Sequence, residues 1–360
     1  MEAVFGAGSV ICFSHRSEDT VIYPFFNLAS KSHQVISLGN AHIRFLPACW
    51  RTYQLLRRFN PNLVLTCGYE RPETLGALIY ARIFKKKTFL MLDNQYDDHK
   101  RSAIIECVKR IYLRFFDGFI YGGDTHRDYL RILKVPPVRE VYGYNCVDNE
   151  GIEKAANTAR LHASRLAPFV NYFLCVARLI KKKNLLKLVE AYGMYVQSFN
   201  TNNQQWGLVI VGEGPERKAL EHRIAELELQ GWIHLAGRVD RFEDVVNYHA
   251  KARAVVLASH VDEQWGLVIN EAMAAGRPVL VSLQCGCASS LVDEGLNGFT
   301  FDGRSPEQLA KHFQWMHQNE HALESMGVCS LAIIRNYTPQ KFAENVKMLY
   351  LKTVDVDISG

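Results

Sequence analysis

The sequence lacks both a long apolar run and a recognisable leader. No stretch reaches the roughly 18–20 consecutive apolar residues that a membrane-spanning helix needs. The first residues, MEAVFGAGSVICF, contain neither a basic segment nor a clear cleavage site, so we expect no signal peptide. These absences argue against an integral membrane protein. They favour a cytoplasmic location, which includes the inner face of the membrane.

Cysteine is present but is not arranged for metal binding. The nine cysteines are scattered and odd in number, and only Cys285 and Cys287 lie close together. Because no second pair completes a zinc pattern, we expect reduced thiols, as in a cytosolic protein. No Asp-x-Asp occurs between residues 170 and 302, where the strongest motifs lie. We therefore expect no metal site and no essential divalent metal.

The positive charge is concentrated in the first part of the chain. The net charge is +5, and residues 1–150 hold 20 Lys and Arg against 15 Asp and Glu, whereas residues 151–360 hold 22 of each kind. A basic half suggests an anionic partner, such as a phosphorylated ligand, a lipid surface or a nucleic acid. An excess of five is too small to favour nucleic acid, and we expect no nucleic-acid partner.

Apolar strands alternate with amphipathic helices along most of the chain. In the second half, short runs such as Trp206–Val211 and Ala254–Ala258 are each followed by a helical segment; the first half shows this rhythm less regularly. Such strands indicate parallel sheets covered on both faces. We predict an α/β fold of two doubly wound, Rossmann-like domains that face one another across a cleft, with ligands at the carboxyl ends of the strands.

The polar stretch 144–157 breaks this alternation, and we place the linker there. The predicted domains are residues 1–150 and residues 151–336. The last segment, 337–360, contains a final helix that begins near Pro339 and is expected to cross back to the first domain.

Two glutamates bracket a loop at an expected ligand-binding edge. Ala254–Ala258 has the pattern of a strand, so Glu263 lies in the loop at its carboxyl end. Glu271 follows near the start of the next helix, whose positive end accommodates an anionic ligand. The pair could hold two sets of hydroxyls on one elongated ligand. Alternatively, Glu263 is a capping acid and Glu271 is a solvated helix residue.

Two further stretches follow strands in the same way. In Ala177-Arg-Leu-Ile-Lys-Lys-Lys-Asn184, Arg178 and Lys183 suit a phosphate or diphosphate at a strand-to-helix crossover; the alternative is an ordinary solvated basic face. Val211-Gly-Glu-Gly-Pro215 lacks the third glycine of the dinucleotide-binding fingerprint. We therefore predict a tight turn beside the cleft for this stretch.

Five motifs in order resemble the retaining, nucleotide-sugar-dependent glycosyltransferases of family 4, which have the GT-B fold. The motifs are ARLIKKKN, VIVGEGPE, Gly237-Arg238, EQWGLVINEAMAAGRPVL and EGLNGF, within residues 170–302. The seven residues between Glu263 and Glu271 match the E-x7-E signature of that family.

The resemblance implies a role for each matching residue. Glu263 would contact hydroxyls of the donor sugar, and Glu271 would hold the ribose hydroxyls of the nucleotide. Arg178 and Lys183 would stabilise the charge on the departing diphosphate in place of a metal ion. The other implied donor-binding positions are Gly212, then Gly237, Arg238 and Val239 at the base, and Trp265, Gly266 and Leu267 in the loop that brings backbone amides to sugar and phosphate.

The first half matches the family less well. A predicted strand at residues 88–93 ends in Asp93-Asn94-Gln95, and we expect these residues, with His99, to hold acceptor hydroxyls. Alternatively, His99 is a surface residue at the start of a helix. In the second half, Cys287 stands where relatives often have a second glycine, and Ser290 stands at the position of an acid.

The first half also contains two basic, amphipathic stretches, residues 50–59 and residues 100–116. Helices of this kind can lie on anionic membranes, and they can equally bury one face in an ordinary core. Peripheral membrane contact through the basic first domain is therefore one of two interpretations.

As a whole, the resemblance implies a metal-independent hexosyltransferase without a bound cofactor that retains anomeric configuration. Its donor would be a nucleotide-diphospho-sugar, a UDP-sugar in preference to a GDP-sugar. Its acceptor would be a sugar, a lipid-linked sugar or another hydroxyl compound in polysaccharide or glycolipid assembly. Two alternatives stay open: a non-catalytic sugar-nucleotide-binding protein and a GT-B-like sugar-nucleotide epimerase.

Overall fold

The computed structural model describes residues 11–15, 34–39, 45–96, 101–162, 167–199 and 205–358. The chain divides into two compact units. Unit 1 comprises residues 1–144 and 339–360, and unit 2 comprises residues 145–338. The first division therefore lies a few residues before the position 150 expected from the sequence.

Unit 1 contains parallel strands only, among the residues described. Strands β1 (Ile11–His15) and β2 (Gln34–Gly39) pair with each other. Four further strands form a separate parallel sheet in chain order: β3 (Leu63–Cys67), β4 (Lys87–Leu92), β5 (Gly118–Tyr121) and β6 (Glu140–Tyr142). The helices before and between them are α1 (Phe45–Phe59), α2 (Pro72–Phe84), α3 (Ala103–Leu113) and α4 (Asp124–Ile132).

Unit 2 is built on one six-stranded parallel sheet. Its strands are β7 (Tyr172–Val176), β8 (Gly207–Val211), β9 (Ile233–Gly237), β10 (Ala254–Leu257), β11 (Val279–Ser282) and β12 (Gly298–Phe301). They are ordered β12-β11-β10-β7-β8-β9. Strand order thus reverses between β7 and β10, as in a doubly wound sheet.

Helices cover both faces of this sheet. They are α5 (Asn149–Leu161), α6 (Leu185–Gln197), α7 (Arg217–Glu226), α8 (Phe242–Lys251), α9 (Leu267–Ala274), α10 (Ala288–Leu291), α11 (Pro306–Gln318) and α12 (Leu323–Ile334). Alternate strand residues enter opposite cores: Leu174 and Val209 pack with Trp265, whereas Phe173 and Leu208 pack with Trp206. This alternation follows from the two-residue period of a strand and explains why the inner strands β7, β8 and β10 are apolar throughout.

The expectation of a linker at 144–157 is wrong for most of its length, because α5 begins inside it. The side chain of Asp148 caps this helix by accepting a 3.1 Å hydrogen bond from the Gly151 amide. Ile152, Ala156 and Ala159 are buried along one face. Only these three of the 13 residues of α5 form its buried apolar stripe. The helical period of hydrophobicity is therefore weak, and the sequence of this stretch resembles a linker.

The last helix, α13 (Pro339–Ile358), belongs to unit 1 although it follows unit 2 in the chain. Val346 and Leu349 of α13 pack with Phe89 and Ile120 of the unit 1 sheet. The side-chain amide of Asn345 donates a 3.0 Å hydrogen bond to the carbonyl of Tyr142. The chain therefore returns to unit 1 at Pro339.

Candidate functional site

Four loops of unit 2 follow the carboxyl ends of neighbouring strands. We name them the β10 loop (258–266), the β7 loop (177–184), the β8 loop (212–216) and the β9 loop (238–241), in the order in which their strands lie across the sheet. At a strand spacing of about 4.8 Å, the row extends over about 14 Å. The β10 and β7 loops flank the point at which strand order reverses, which is where open α/β sheets bind ligands.

Lys183 and Glu263 meet at this switch point. The ammonium of Lys183, in the β7 loop, forms an ion pair with Oε2 of Glu263, in the β10 loop. Only 14% of the Lys183 side chain and 10% of the Glu263 side chain are exposed. The same carboxylate oxygen accepts a 2.7 Å hydrogen bond from the hydroxyl of Ser259, a partner that no sequence motif indicates.

The environment of Glu263 keeps it ionised. Burial by itself raises the pKa of this carboxyl group, but the positive charge and hydrogen bond of Lys183 and the hydrogen bond from Ser259 outweigh it. The net result is a pKa below the ordinary value of 4.5. Glu263 is therefore a hydrogen-bond acceptor at neutral pH.

Hydrogen bonds fix the β7 and β10 loops to each other. The side-chain amide of Asn184 donates to the carbonyls of Ala258 at 3.1 Å and Gly303 at 2.7 Å. The ammonium of Lys182 donates to the carbonyl of Asp262 at 3.0 Å. Lys182 thus links the two loops.

Arg178 lies in the β7 loop with Lys183 but is exposed. Within the described part of the chain, its guanidinium makes no ion pair or side-chain hydrogen bond. Of the two predicted phosphate-binding cations, Lys183 thus contacts Glu263, and Arg178 is accessible to a ligand.

Two glycines let the β8 loop approach the β7 loop. A Cβ on Gly212 would lie 1.9 Å from the carbonyl oxygen of Ala177, and a Cβ on Gly214 would lie 2.4 Å from that of Leu179. Both residues have positive φ, +143° and +158°, a backbone conformation that disfavours other residues. The Gly-x-Gly pattern therefore serves close packing of the backbone beside Arg178.

The predicted base-reading residues follow β9. Gly237 has φ +77°, and its carbonyl accepts a 2.8 Å hydrogen bond from the Gly212 amide. The exposed side chain of Arg238 forms a 2.7 Å ion pair with Asp240, and Val239 is half-buried. The carbonyl of Gly237 is thus already engaged, so base contacts in this loop would come from residues 238 and 239.

Trp265 is a core residue rather than a ligand platform. Its indole is buried, donates a 2.8 Å hydrogen bond to Oδ1 of Asn270 and lies 5.8 Å from the ring of Tyr337. Gly266, at φ +107°, caps α9, and a Cβ there would lie 2.4 Å from Leu257. The predicted contribution of this loop is therefore limited to backbone groups around Gly266 and Leu267.

Glu271 faces a buried histidine. Its Oε2 lies 3.6 Å from Nε2 of His249, a residue of α8 that is fully buried. Neither ring nitrogen of His249 has a hydrogen-bond partner among the described residues. Glu271 is half-buried, so it is not the solvated helix residue of the alternative interpretation. No sequence motif predicts its neighbour.

The loop that departs from the family pattern packs under the β10 loop. The amides of Gly286 and Cys287 donate to the carbonyls of Glu263 at 2.9 Å and Trp265 at 3.3 Å. The thiol of Cys287 is fully buried, and burial raises its pKa. Like Cys287, its neighbour Cys285 is a buried free thiol.

The predicted acceptor residues follow β4 in unit 1. Asp93, Asn94 and Gln95 are all half-buried, and the carbonyl of Gln95 accepts a hydrogen bond from Arg101. His99 lies outside the described residues.

A buried polar network lies close to these residues along the chain. Glu106 of α3 accepts hydrogen bonds from Lys109 at 2.8 Å and from the hydroxyl of Tyr129 at 2.9 Å, and it lies 3.8 Å from Arg101. Burial raises the pKa of Tyr129 to about 12, with smaller opposing effects from Lys109. The three-residue spacing of Glu106 and Lys109 is the one sequence feature that could have indicated this network. The same spacing is common on the solvated faces of helices.

Over the described residues, no group of three or more His, Cys, Asp or Glu is placed to hold a metal ion. One Asp-x-Asp does occur in the chain, at Asp355-Val356-Asp357 near the end of α13 in unit 1. None of the described helices has the length and apolarity that crossing a membrane requires.

Residues 163–328 match the profile of the family described as glycosyl transferases group 1. Over 182 residues the chain is 28% identical to an alpha-monoglucosyldiacylglycerol synthase of Acholeplasma laidlawii, covering 51% of this chain and 44% of that protein. Over 159 residues it is 30% identical to a D-inositol 3-phosphate glycosyltransferase of Corynebacterium diphtheriae, covering 42% of this chain and 36% of that one. The matches thus span less than half of either relative.

Solved structures resemble a much larger part of the chain. Sucrose-phosphate synthase from Thermosynechococcus elongatus superposes with a TM-score of 0.75 at 18% identity, over 99% of this chain and 92% of that one. Anabaena HepE in complex with UDP gives a TM-score of 0.69 at 18% identity, over 91% and 86%. The protein therefore has the GT-B fold, and its residues 163–328 are similar to glycosyl transferases.

Proposed function

We propose that this protein is a retaining glycosyltransferase of family 4. In the proposed reaction, a hexosyl unit passes from a nucleotide-diphospho-sugar to a hydroxyl acceptor without a metal ion. The observation that carries the proposal is the contact of Lys183 with Glu263 at the switch point of the unit 2 sheet. A buried ammonium beside a carboxylate supplies both kinds of group that a sugar diphosphate requires, a cation for the phosphates and an acceptor for sugar hydroxyls.

The row of four loops fits an extended donor. In this arrangement Glu263 contacts the sugar, Lys183 and Arg178 contact the diphosphate, and residues 238 and 239 contact the base. Glu271, next along the chain from the β10 loop, holds the ribose. A UDP-sugar is the favoured donor, with a GDP-sugar as the second choice; the UDP complex of the structural neighbour HepE supports the first.

The chemistry follows from the charges in the site. As the sugar leaves, negative charge builds on the diphosphate, and Lys183 is already fixed beside it. Arg178, which is exposed and makes no ion pair within the described residues, moves onto the phosphates when the donor binds. Donors that are positioned before reaction stabilise developing charge without reorganisation. The two cations thereby take the place of a metal ion.

The acceptor is proposed to bind in unit 1 at Asp93, Asn94 and Gln95, where half-buried polar side chains follow a parallel strand. A sugar or a lipid-linked sugar fits the names of the relatives, one of which is a glucosyldiacylglycerol synthase. We place the reaction in the cytoplasm, in the assembly of a glycolipid or polysaccharide.

A donor panel tests the proposal. The purified chain is incubated with UDP-, GDP- and ADP-sugars, and nucleotide release is measured with and without lipid and sugar acceptors. We expect release from one donor, faster with acceptor, and a product whose anomeric configuration, read by NMR, equals that of the donor. Tight nucleotide-sugar binding without turnover would support a non-catalytic protein instead. Interconversion of two sugar nucleotides would support an epimerase.

Metal independence is tested on the same reaction. Because two cationic side chains are proposed to neutralise the leaving group, EDTA is expected to leave the rate nearly unchanged. Complete loss of activity that magnesium restores would overturn this part of the proposal.

A further inference from the structure

Helix α3 of unit 1 buries Leu113 near its end but exposes a stripe of large apolar residues. It buries the charged residue Glu106 and exposes Ile104, Val108 and Ile111, whose exposed fractions are 77%, 60% and 54%. Phe115, just past its end, is 51% exposed. A helix that packs on a globular core normally turns its apolar stripe inward and its charged face outward.

The four exposed residues lie on one side of the helix. Their spacing is four, three and four residues, which is the period of a single helical stripe. We call Ile104, Val108, Ile111 and Phe115 the α3 surface. Scattered exposed apolar residues are normal, but a contiguous stripe of large ones marks an interaction site.

The inward polar face explains why the stripe cannot turn into the core. Glu106 is held by hydrogen bonds from Lys109 and Tyr129 and by the nearby guanidinium of Arg101. Rotating α3 to bury the isoleucines would expose this network to water and break its bonds to Tyr129. The orientation of α3 is therefore determined by the buried network.

Positive charge surrounds the α3 surface. Arg82 of α2 donates to the carbonyl of Phe115 and lies 3.2 Å from Asp117, so the ends of α2 and α3 lie side by side. Residues 82–87 and 101–117 together contain eight Lys and Arg against two Asp and Glu, and six of the eight lie outside the buried Glu106 network of Arg101 and Lys109. Those two acids, Glu106 and Asp117, are paired within the protein. The charge available to a partner is thus basic.

Helix α1, the other basic amphipathic stretch, behaves differently. Its residues Ala48, Cys49 and Leu56 are buried, and it packs so closely on α2 that a Cβ on Gly76 would lie 2.3 Å from the Cys49 carbonyl. Trp50 of α1 is 60% exposed, but the apolar stripe of that helix is buried, whereas the stripe of α3 is exposed.

We propose that the α3 surface is a membrane-docking face that inserts its apolar side chains at the headgroup boundary of an anionic bilayer. Isoleucine, valine and phenylalanine enter the boundary between headgroups and acyl chains, while the surrounding arginines and lysines contact lipid phosphates. The apolar residues match the acyl chains of such a bilayer, and the basic residues around them match its negative charge. The inference goes beyond the proposed sugar transfer and does not depend on it, although a lipid-linked acceptor would lie in the same bilayer.

Vesicle co-sedimentation of the full chain tests the proposal. Two compositions are used: phosphatidylcholine alone, and phosphatidylcholine with one third phosphatidylglycerol. We expect binding to the anionic vesicles, with Val108→Ser reducing the partition coefficient about tenfold because a valine leaves the apolar boundary. Val328→Ser is the matched control: Val328 is a valine of α12 in unit 2 that is 62% exposed, and its replacement should leave binding unchanged.

A second pair of variants isolates the charge. Arg114 is the exposed residue that ends α3, and Arg335 is the exposed residue that ends α12. Arg114→Gln should weaken binding to anionic vesicles about fivefold, as expected for one basic residue at an anionic surface, and Arg335→Gln should not. Equal effects within either pair, or no binding by the parent protein, would overturn the proposal. So would a concentration-dependent dimer that Val108→Ser abolishes, since a second copy would then cover the face.

Donor turnover measured on the same variants separates the membrane-docking proposal from the proposed glycosyl transfer. Val108→Ser should keep the nucleotide-release rate of the parent protein in vesicle-free buffer. A parent that binds vesicles but releases no nucleotide from any donor would defeat the proposed function and leave the docking face intact.

Discussion

The ammonium of Lys183 lies against the carboxylate of Glu263, although 80 positions separate the two residues in the chain. The contact exists because β7 and β10 are neighbours in the sheet, so the loops at their carboxyl ends meet. Glu263 also accepts a hydrogen bond from Ser259. A stable ion pair thus occupies the site at which the donor diphosphate is proposed to bind.

Breaking this pair from one side should destabilise unit 2. Lys183→Met or Glu263→Gln leaves a buried group without its partner, and each is expected to lower the free energy of unfolding by about 3–5 kcal/mol. The double variant should cost much less than the sum, because neither group is then left unpaired. Chemical denaturation of all three variants gives the double-mutant cycle.

The more exposed pair Lys187–Glu190 is the control: its charged atoms lie 2.8 Å apart, its side chains are 47% and 22% exposed, and Glu190 keeps a second partner in Arg223 at 3.1 Å. Its equivalent substitutions should change stability by no more than about 1 kcal/mol. Equal costs for the two pairs would show that Lys183 and Glu263 do not form a buried pair in solution.

Lys183→Ala should reduce turnover far more than donor affinity. The ammonium is proposed to act mainly on charge that develops as the diphosphate leaves, and removing one such donor lowers kcat by about 10²–10³-fold in other enzymes. Steady-state kinetics with the donor that the panel identifies would measure kcat and KM separately. Lys181→Ala, at an exposed position of the same loop, should be near normal. A large rise in KM with unchanged kcat would assign Lys183 to ground-state binding.

Stability should fall at acidic pH through Glu263. Its pKa lies below 4.5 in the folded protein, so its ionised form stabilises the fold above about pH 4.5, and this contribution is lost as pH falls through the folded-state pKa. Thermal melts between pH 6 and pH 3 should show a steeper decline for the parent protein than for Glu263→Gln. The same pH dependence of the melting temperature in both proteins would contradict the lowered pKa of Glu263.

Glu271→Ala should weaken nucleotide binding. Loss of a charged acceptor for ribose hydroxyls is expected to raise the dissociation constant of the nucleotide about tenfold or more, measured by calorimetry with UDP and GDP. Glu324→Ala, at an exposed position early in α12, serves as the control. Unchanged affinity would mean that the Glu271 carboxylate beside His249 serves the protein's packing rather than the ligand.

Gly212→Ala should disrupt the site through the backbone. A Cβ there would lie 1.9 Å from the Ala177 carbonyl at φ +143°, so the β7 loop must shift, and we expect a loss of at least about 2 kcal/mol of stability. Gly231→Ala, where a Cβ meets nothing within 4 Å, should stay within about 0.5 kcal/mol of the parent. Similar melting temperatures for both variants would contradict the close approach of the β8 and β7 loops.

The inner strands of unit 2 were predictable because they are buried on both faces. A strand such as Gly207–Val211 must then be apolar throughout, and this signal is strong in sequence. Helix α5 was not predictable because only a few small apolar residues form its buried face. Side-chain partners such as Ser259 for Glu263 and His249 for Glu271 lie outside any motif, since sequence spacing does not report on contacts between elements.

The sequence by itself determined the strands of unit 2, the chain positions of Lys183, Glu263 and Glu271, and the amphipathic character of α3. The spacing of apolar residues along the chain and the residue types in the loops are sufficient to predict these features. Only the tertiary structure decided that Lys183 pairs with Glu263, that Trp265 is a core residue and that α3 turns its isoleucines outward. These outcomes depend on which strands are neighbours and on a buried network around Glu106, and such long-range contacts leave no local trace in the chain.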